Sequence, residues 1–517
     1  MYRLREIRKL WMCVLVVSLA LAARAEVELP HVFGSHMVLQ QGEKVPIWGS
    51  ADPVEKVMVS IGGQKVSAVA DGDGAWEVTL NRMKASGPHV MTVEGEENTI
   101  MFTDVLVGEV WVCSGQSNMQ WTVKNSKDAE KEIAAADYPN IRLFYVERKV
   151  SDEPEDDCNG EWKVCSPQSI PEFSAVAYYF GREVHTASNV PVGLIHSSWG
   201  GTPAESWTTI ETLRGNPMFE PILERWKKTM GDYPQAKAEF DKQLAEWEQA
   251  VEKAKVEGAS PPSRPREPMG PDHPWRPSGL YNAMIAPLQP FAIRGAIWYQ
   301  GESNAGRAYQ YRTLFPAMIE DWRRTWDQGD FPFLFVQLAN FQERKPDPGD
   351  SDWAELREAQ SMTLSLPNTG MAVIIDIGEA GDIHPKNKQD VGKRLALNAL
   401  AKVYDKDVVY SGPIFKSMRL KNGKIALSFN HVDGGLMTPS GEPLKGFAIA
   451  GADKKFVWAN AEINGKRILV WSDDVKEPVA VRYAWAINPE CNLFNSVGLP
   501  ASPFRTDDWP GVTVDQR

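Results

Sequence analysis

The chain has 517 residues, a formal net charge of -12, and 24% charged against 43% hydrophobic residues. That length exceeds one ordinary domain, so two or three are expected. The acidic balance removes the electrostatic case for a nucleic-acid or anionic-membrane partner.

Arg3, Arg5, Arg8 and Lys9 precede the apolar run "LWMCVLVVSLALA", and "ARA" follows it. A basic head, a short apolar segment and a small-x-small site predict a secretory signal peptide over residues 1–25, cleaved after Ala25. The run is shorter than the roughly 20 residues of a membrane span. A lipidated Cys13 fits less well, because most of the apolar run lies after that cysteine. With no later segment of membrane length, the expected protein is soluble and exported, either periplasmic or secreted. Losing the five basic residues and one acidic residue of the leader takes the formal charge from -12 to -16.

Residues 26–105 show short alternating segments, such as "KVPIWGSA", "KVMVSIGGQKVSAVA" and "WEVTL", separated by Gly, Asp and Asn turns. They predict a small N-terminal β-sandwich. From about residue 106 to 404, apolar strand candidates alternate with amphipathic helices: "GEVWVCSG", "FSAVAYYFGREVHTA", "VPVGLIHSS", "IRGAIWYQ", "YRTLFPAMIEDWRRTW", "FPFLFVQLA", "GMAVIIDIG" and "KQDVGKRLALNALAKVY". This alternation predicts an α/β core with a mostly parallel sheet flanked by helices. Residues 220–275 interrupt the series with a charged helix, carrying Phe240, Leu244, Trp247 and Val251 at helical spacing, and a proline-rich connector. Residues 405–517 return to turn-punctuated β pattern, a C-terminal β region.

After the leader, Cys113, Cys158, Cys165 and Cys491 remain, at spacings that fit no zinc pattern. Cys158 and Cys165 are candidates to close a small disulfide loop in an oxidising compartment. Cys113 reads as a packed thiol within a buried strand.

In open α/β sheets ligands sit at the carboxyl ends of the strands. Those ends carry "GQSNMQW" (115–121), "WGGTPAESW" (199–207), "QGESNAG" (300–306) and "EAGDIHP" (379–385). Ser117 reads either as a helix N-cap or as an exposed nucleophile. A serine, a glycine pair, an amide side chain and an Asp with a His are the components of acyl transfer: nucleophile, oxyanion donors, base and orienting acid. Backbone N–H groups at Ser117 and Gly200, with the Gln300 side chain, are the candidate donors. The chain has no G-x-S-x-G elbow around Ser117, no H-E-x-x-H, no Walker A motif and no dinucleotide fingerprint.

Taken in order, "GQSNMQW", "WGGTPAESW", "WYQGESNA" and "DIHPKNKQDVGKRLA" resemble the SGNH-type carbohydrate esterases, and more closely the bacterial sialate O-acetylesterase family. The resemblance extends to "HMVLQQ…VPIWG" and to "RYAWAINPECNLFNSVGLPASPFRTDDW". It implies an SGNH-hydrolase-like core, with Ser117 as nucleophile, His384 as base and Asp382 as acid. It also implies Ser117, Gly200 and Gln300 in the oxyanion hole, with Asn304 a weaker occupant. Asp382-Ile383-His384 departs from the superfamily's usual Asp-x-x-His, which leaves Glu302 and Asp376 as substitute acids or a Ser–His dyad. The implied reaction is removal of O-acetyl groups from a carbohydrate, favouring O-acetylated sialic acid, with no cofactor or metal. Acetylated xylan or another plant oligosaccharide is the alternative substrate; a non-catalytic glycan-binding protein and an acetyltransferase are the rival classes. A sialate carboxylate calls for an arginine; Arg294, Arg307 and Arg357 lie near the motifs, and none is assigned.

Overall fold

The structure, a computed structural model, describes residues 26–517. The leader expected over residues 1–25 lies outside the described residues. Seven strands form the spine of the largest sheet: β1 (Thr99–Gly115), β2 (Tyr138–Tyr145), β3 (Trp162–Cys165), β4 (Val192–Ser198), β5 (Gly295–Tyr299), β6 (Phe333–Gln337) and β7 (Thr369–Val373). They lie in the order β7-β6-β5-β1-β4-β2-β3. Every neighbouring pair is parallel except β2 with β3. Strands β4 to β7 are buried along their whole lengths. Covered on both faces, such strands gain from apolar side chains at every position, hence runs such as "FLFVQ" with no alternation.

The covering layers are helical. Trp111 on β1 meets Phe180 of the helix Ala175–Ser188 edge-on, at 5.0 Å between ring centroids. Trp298 on β5 stacks on Phe315 of the helix Ala308–Trp326. Trp298 is in register with Ser114, three residues from Trp111, so the two indoles project to opposite faces. The fold is therefore mixed α/β, a helix-flanked sheet, as the alternating pattern predicts.

Strand β1 runs through residues 105 and 106 without a break. Its first half pairs antiparallel with Ser86–Glu94, and Leu106–Gly108 pairs parallel with Val38–Gln40. Its second half lies between β4 and β5. Burial alternates up to Asp104 and is continuous from Val105, marking where a half-exposed strand becomes a central one. Val57, Val59 and Val93 join Val110 and Ile297 in one apolar cluster, so the N-terminal strands and the α/β sheet share a core.

A second apolar cluster lies under two four-stranded antiparallel sheets of the C-terminal region, which include Lys424–Asn430 and Ala480–Tyr483. Arg357, fully buried on the helix Asp352–Met362, ties that region to the core. Its guanidinium donates to the carbonyls of Leu338 and Ala339 after β6 and of Ala486 and Ile487 in the C-terminal region, all at 2.7–2.9 Å. Burial pulls its pKa down to about 9. The loop closure weighed for Cys158 and Cys165 does not form: both thiols are free and packed in the apolar core.

The helix Glu220–Glu257 fills most of the interruption at 220–275. Its connector folds back on it, the Trp247 indole N–H donating to the Pro262 carbonyl at 2.9 Å. Among the described residues no helix is long and apolar enough to cross a membrane.

Replacing Arg357 by Met should strand the Leu338 and Ala486 carbonyls in the interior, while Ala339 keeps the Trp353 indole N–H and Ile487 the Phe341 N–H as donors. Each unsatisfied buried group costs about 1–3 kcal/mol, so a loss of roughly 3 kcal/mol or more is expected in denaturant unfolding. A loss below about 1 kcal/mol would show that the C-terminal region does not depend on this residue.

Candidate active site

Gly115 ends β1 with φ at +137°, and a Cβ there would lie 2.2 Å from the Tyr299 carbonyl oxygen. Only glycine allows this close approach of β1 to β5 together with that backbone angle. The turn delivers Ser117 as the first residue of the short helix Ser117–Gln120. Gln116, not Ser117, holds the cap position, and it makes no side-chain cap bond. Its amide oxygen instead accepts the backbone N–H groups of Gly301 (3.4 Å) and Ser303 (3.3 Å), fastening the turn to the segment after β5.

Ser117 Oγ lies 2.9 Å from His384 Nε2. Asp382 Oδ1 accepts the His384 backbone N–H at 2.9 Å and stands 3.3 Å from Nδ1. That second distance is longer than the 2.7–2.9 Å of a close charge-assisted bond. The Trp121 ring stacks on the imidazole at 4.9 Å and 13°. The two substitute acids are engaged elsewhere: Asp376 makes a bidentate pair with Arg394, and Glu302 accepts from Asn118.

Gly200 closes the other side. A Cβ on it would lie 3.2 Å from Ser117 Cβ, and its N–H donates to the Gln120 side-chain oxygen at 2.6 Å. The structure brings Ser117, His384, Asp382 and Gly200 together, and it corrects the expectation for Gln300. Gln300 is fully buried, and its amide nitrogen donates to the Thr202 carbonyl (3.3 Å) and to Asn304 Oδ1 (2.6 Å). Both of its amide hydrogens are spent inside the protein. Asn304 donates to the Glu205 carboxylate at 2.9 Å and keeps a second amide hydrogen. Burial alone would raise the Glu205 carboxyl, but Arg307 and Asn304 outweigh it and hold it below the ordinary range.

Behind Ser117 lies a buried network that the motifs did not disclose. Lys388 is fully buried and donates to Asn118 Oδ1 at 2.6 Å. Asn118 Nδ2 donates to Glu302 (2.7 Å) and to the Ile383 carbonyl (3.1 Å), the residue before His384. Burial pulls the Lys388 pKa down to about 7 against the attraction of Glu302, Glu379 and Asp382. Burial raises the Glu302 carboxyl, an effect that Asn118 and Lys388 oppose. His384 is held below the ordinary imidazole value, by burial first and by Lys388, while Asp382 pulls the other way. A lysine in the first turn of a helix ordinarily reads as solvated, so sequence offered no signal for Lys388. The arrangement supplies a hydroxyl in contact with an imidazole whose neutral form is favoured, a carboxylate beside that imidazole, and backbone donors nearby. Among the described residues no group of three or more His, Cys, Asp or Glu could hold a metal ion.

Comparison with known proteins places this geometry in context. A family model for "Carbohydrate esterase, sialic acid-specific acetylesterase" matches residues 107–241 and 270–401. The chain is 34% identical to a mouse sialate O-acetylesterase over 91% of its length and 92% of that protein. It is 32% identical to the human sialate O-acetylesterase, covering 96% of this chain and 97% of that one. A solved carbohydrate acetylesterase from Xanthomonas citri superposes with a TM-score of 0.80 at 39% identity, covering 94% of this chain and all of that chain.

Asn118→Ala should leave Lys388 without its acceptor and loosen the Ser117–His384 pair. Misplacement of reacting groups by about 1 Å can cost about 100-fold, so a fluorophosphonate should label Ser117 roughly 10- to 100-fold more slowly. An unchanged labelling rate would show that Asn118 does not set this geometry.

Proposed function

The chain is a carboxylic ester hydrolase of the carbohydrate esterase, sialic acid-specific acetylesterase family, and from that premise we propose that it removes O-acetyl groups from sialic acid through an acetyl-Ser117 intermediate. The observation that carries the residue assignment is the 2.9 Å contact between Ser117 Oγ and His384 Nε2. Ser117 Oγ attacks the acetyl carbonyl carbon as His384 Nε2 takes its proton. The tetrahedral intermediate collapses, the ester C–O bond breaks, and His384 returns the proton to the departing sugar hydroxyl. Water, losing its proton to the same imidazole, then attacks the acetyl-enzyme and releases acetate and Ser117. Asp382 orients the imidazole through both its backbone and its ring contact.

The Ser117 and Gly200 N–H groups are the backbone donors to the oxyanion in this reading. Asn304 replaces Gln300 as the side-chain donor, having a hydrogen to give. The Gln120 oxygen occupies the Gly200 donor in the free enzyme and must leave it when the ester carbonyl arrives. Export to the periplasm or medium belongs to the same reading, supported by the basic and apolar pattern of residues 1–25.

The test is acetate release from 9-O-acetylated sialic acid and from acetylated xylo-oligosaccharide, with wild type and Ser117→Ala. Preference for the sialate is expected, with kcat in the variant lower by roughly 10⁴-fold or more. Preference for the xylo-oligosaccharide would overturn the substrate and keep the mechanism; undiminished activity in the variant would overturn Ser117.

The base must be neutral, and its pKa lies below the ordinary 6.5. The acid limb of kcat/KM is therefore expected below pH 6.5, activity falling as pH drops through it. An acid limb above about pH 7 would contradict His384 as the base.

A further inference from the structure

We infer that Arg148, Trp199 and Trp275 form the face that recognises the sugar, with Arg148 taking the carboxylate of an anionic substrate; the inference rests on the sialate reading above. None of the arginines close to the motifs is free for that task. Arg294 pairs with Glu109, Arg307 with Glu205, and Arg357 is spent on four carbonyls.

Arg148 differs in place and in freedom. After β2 the chain continues beside β4, the Val146 N–H donating to the His196 carbonyl at 3.0 Å. Arg148 therefore emerges at the carboxyl edge of the sheet, beside the turn that β4 sends into Trp199 and Gly200. Its guanidinium lies 5.6 Å from the Trp199 ring centroid. It is exposed, and among the described residues it has no acidic partner. Its neighbours do not compete: Glu147 accepts from Asn159, and Lys149 pairs with Glu155. Strands β1, β4 and β2 are successive, and strands lie about 4.8 Å apart, so Arg148 stands on the order of 10 Å across the sheet from the Ser117 end of β1. A single sugar ring with an acetylated tail at one end and a carboxylate at the other fits across such a distance.

Trp275 borders the same turn from the opposite direction. It is the end of the proline-rich connector, and its indole N–H donates to the Gly201 carbonyl at 2.7 Å while 38% of the residue stays exposed. An anchored, exposed indole one residue beyond Gly200 offers an apolar face to the C–H side of a sugar ring. A guanidinium laid over Trp199 is oriented for bidentate capture of a carboxylate. The local cation also answers a physical need, because a chain of net charge -12 otherwise repels an anionic substrate.

The experiment compares kcat/KM for 9-O-acetylated sialic acid and for its carboxyl methyl ester, which keeps the sugar and acetyl groups but loses the charge. Wild type should favour the acid by about tenfold or more, the scale of a charged hydrogen-bonded contact. Arg148→Gln should abolish that preference and Arg148→Lys should retain part of it. Trp275→Ala should raise KM for both substrates and leave their ratio alone. Equal rates on acid and ester in the wild type, or an intact preference in Arg148→Gln, would overturn the inference and leave the sialate reading standing. Failure of the wild type to release acetate from either compound, while it cleaves p-nitrophenyl acetate, would overturn both.

Discussion

One carboxamide holds the candidate site together. Asn118 accepts from Lys388 and donates to Glu302 and to the Ile383 carbonyl. Those partners arrive from three separate places: the start of the helix Lys388–Lys402, the segment after β5, and the residue before His384. Ser117 adjoins Asn118 on one side of the arrangement and His384 adjoins Ile383 on the other. The Ser117–His384 distance is thus set in part by bonds that neither residue makes itself, beside the His384 N–H bond to Asp382 and the Trp121 stack. Because the network is buried, each of its groups depends on its partners: an unmatched polar atom in this interior costs more than the bond that satisfies it.

The sheet makes that convergence geometrically available. Parallel strands point their carboxyl ends the same way, so the segments after β1, β4, β5 and β7 emerge in one layer. Gly115 then lets β1 end against the Tyr299 carbonyl, at an approach that no side chain would tolerate. Electrostatics follow from the burial. A fully buried lysine and a half-buried glutamate sit one carboxamide apart, and the lysine's field helps hold the His384 pKa down, against Asp382. The network that fixes the geometry also favours the neutral form of the His384 imidazole.

Much of this was legible in the sequence, for identifiable reasons. Strands buried on both faces write themselves as apolar runs, and the candidate site residues follow such runs directly, so Ser117, Gly200 and His384 could be picked out by position. Gln300 misled because a strand-end amide looks the same whether it faces a cleft or the interior; here Tyr311 and Asn304 draw it inward. For Cys158 and Cys165 the spacing left a loop open that packing does not form. Lys388 carried no signal, because a lysine in a helix's first turn is ordinarily solvated. Arg148 and Trp275 were out of reach for a different reason: the sheet order and the folded-back connector bring them to one turn from positions far apart in the chain.

The substrate side and the chemical side of the site thus rest on different parts of the fold. In the proposed reading the reacting groups belong to strand ends locked by Asn118, whereas the exposed aromatic and cationic groups ride on a strand continuation and on the return from the 220–275 insertion. The most direct test of the central claim is to quench the protein during turnover of an acetyl ester and map the added mass by peptide sequencing. The account predicts one acetyl group on Ser117, chased off by water once ester is exhausted. An acetyl group on a different residue, or acetate released in a rapid burst with no acetylated peptide at Ser117, would contradict it.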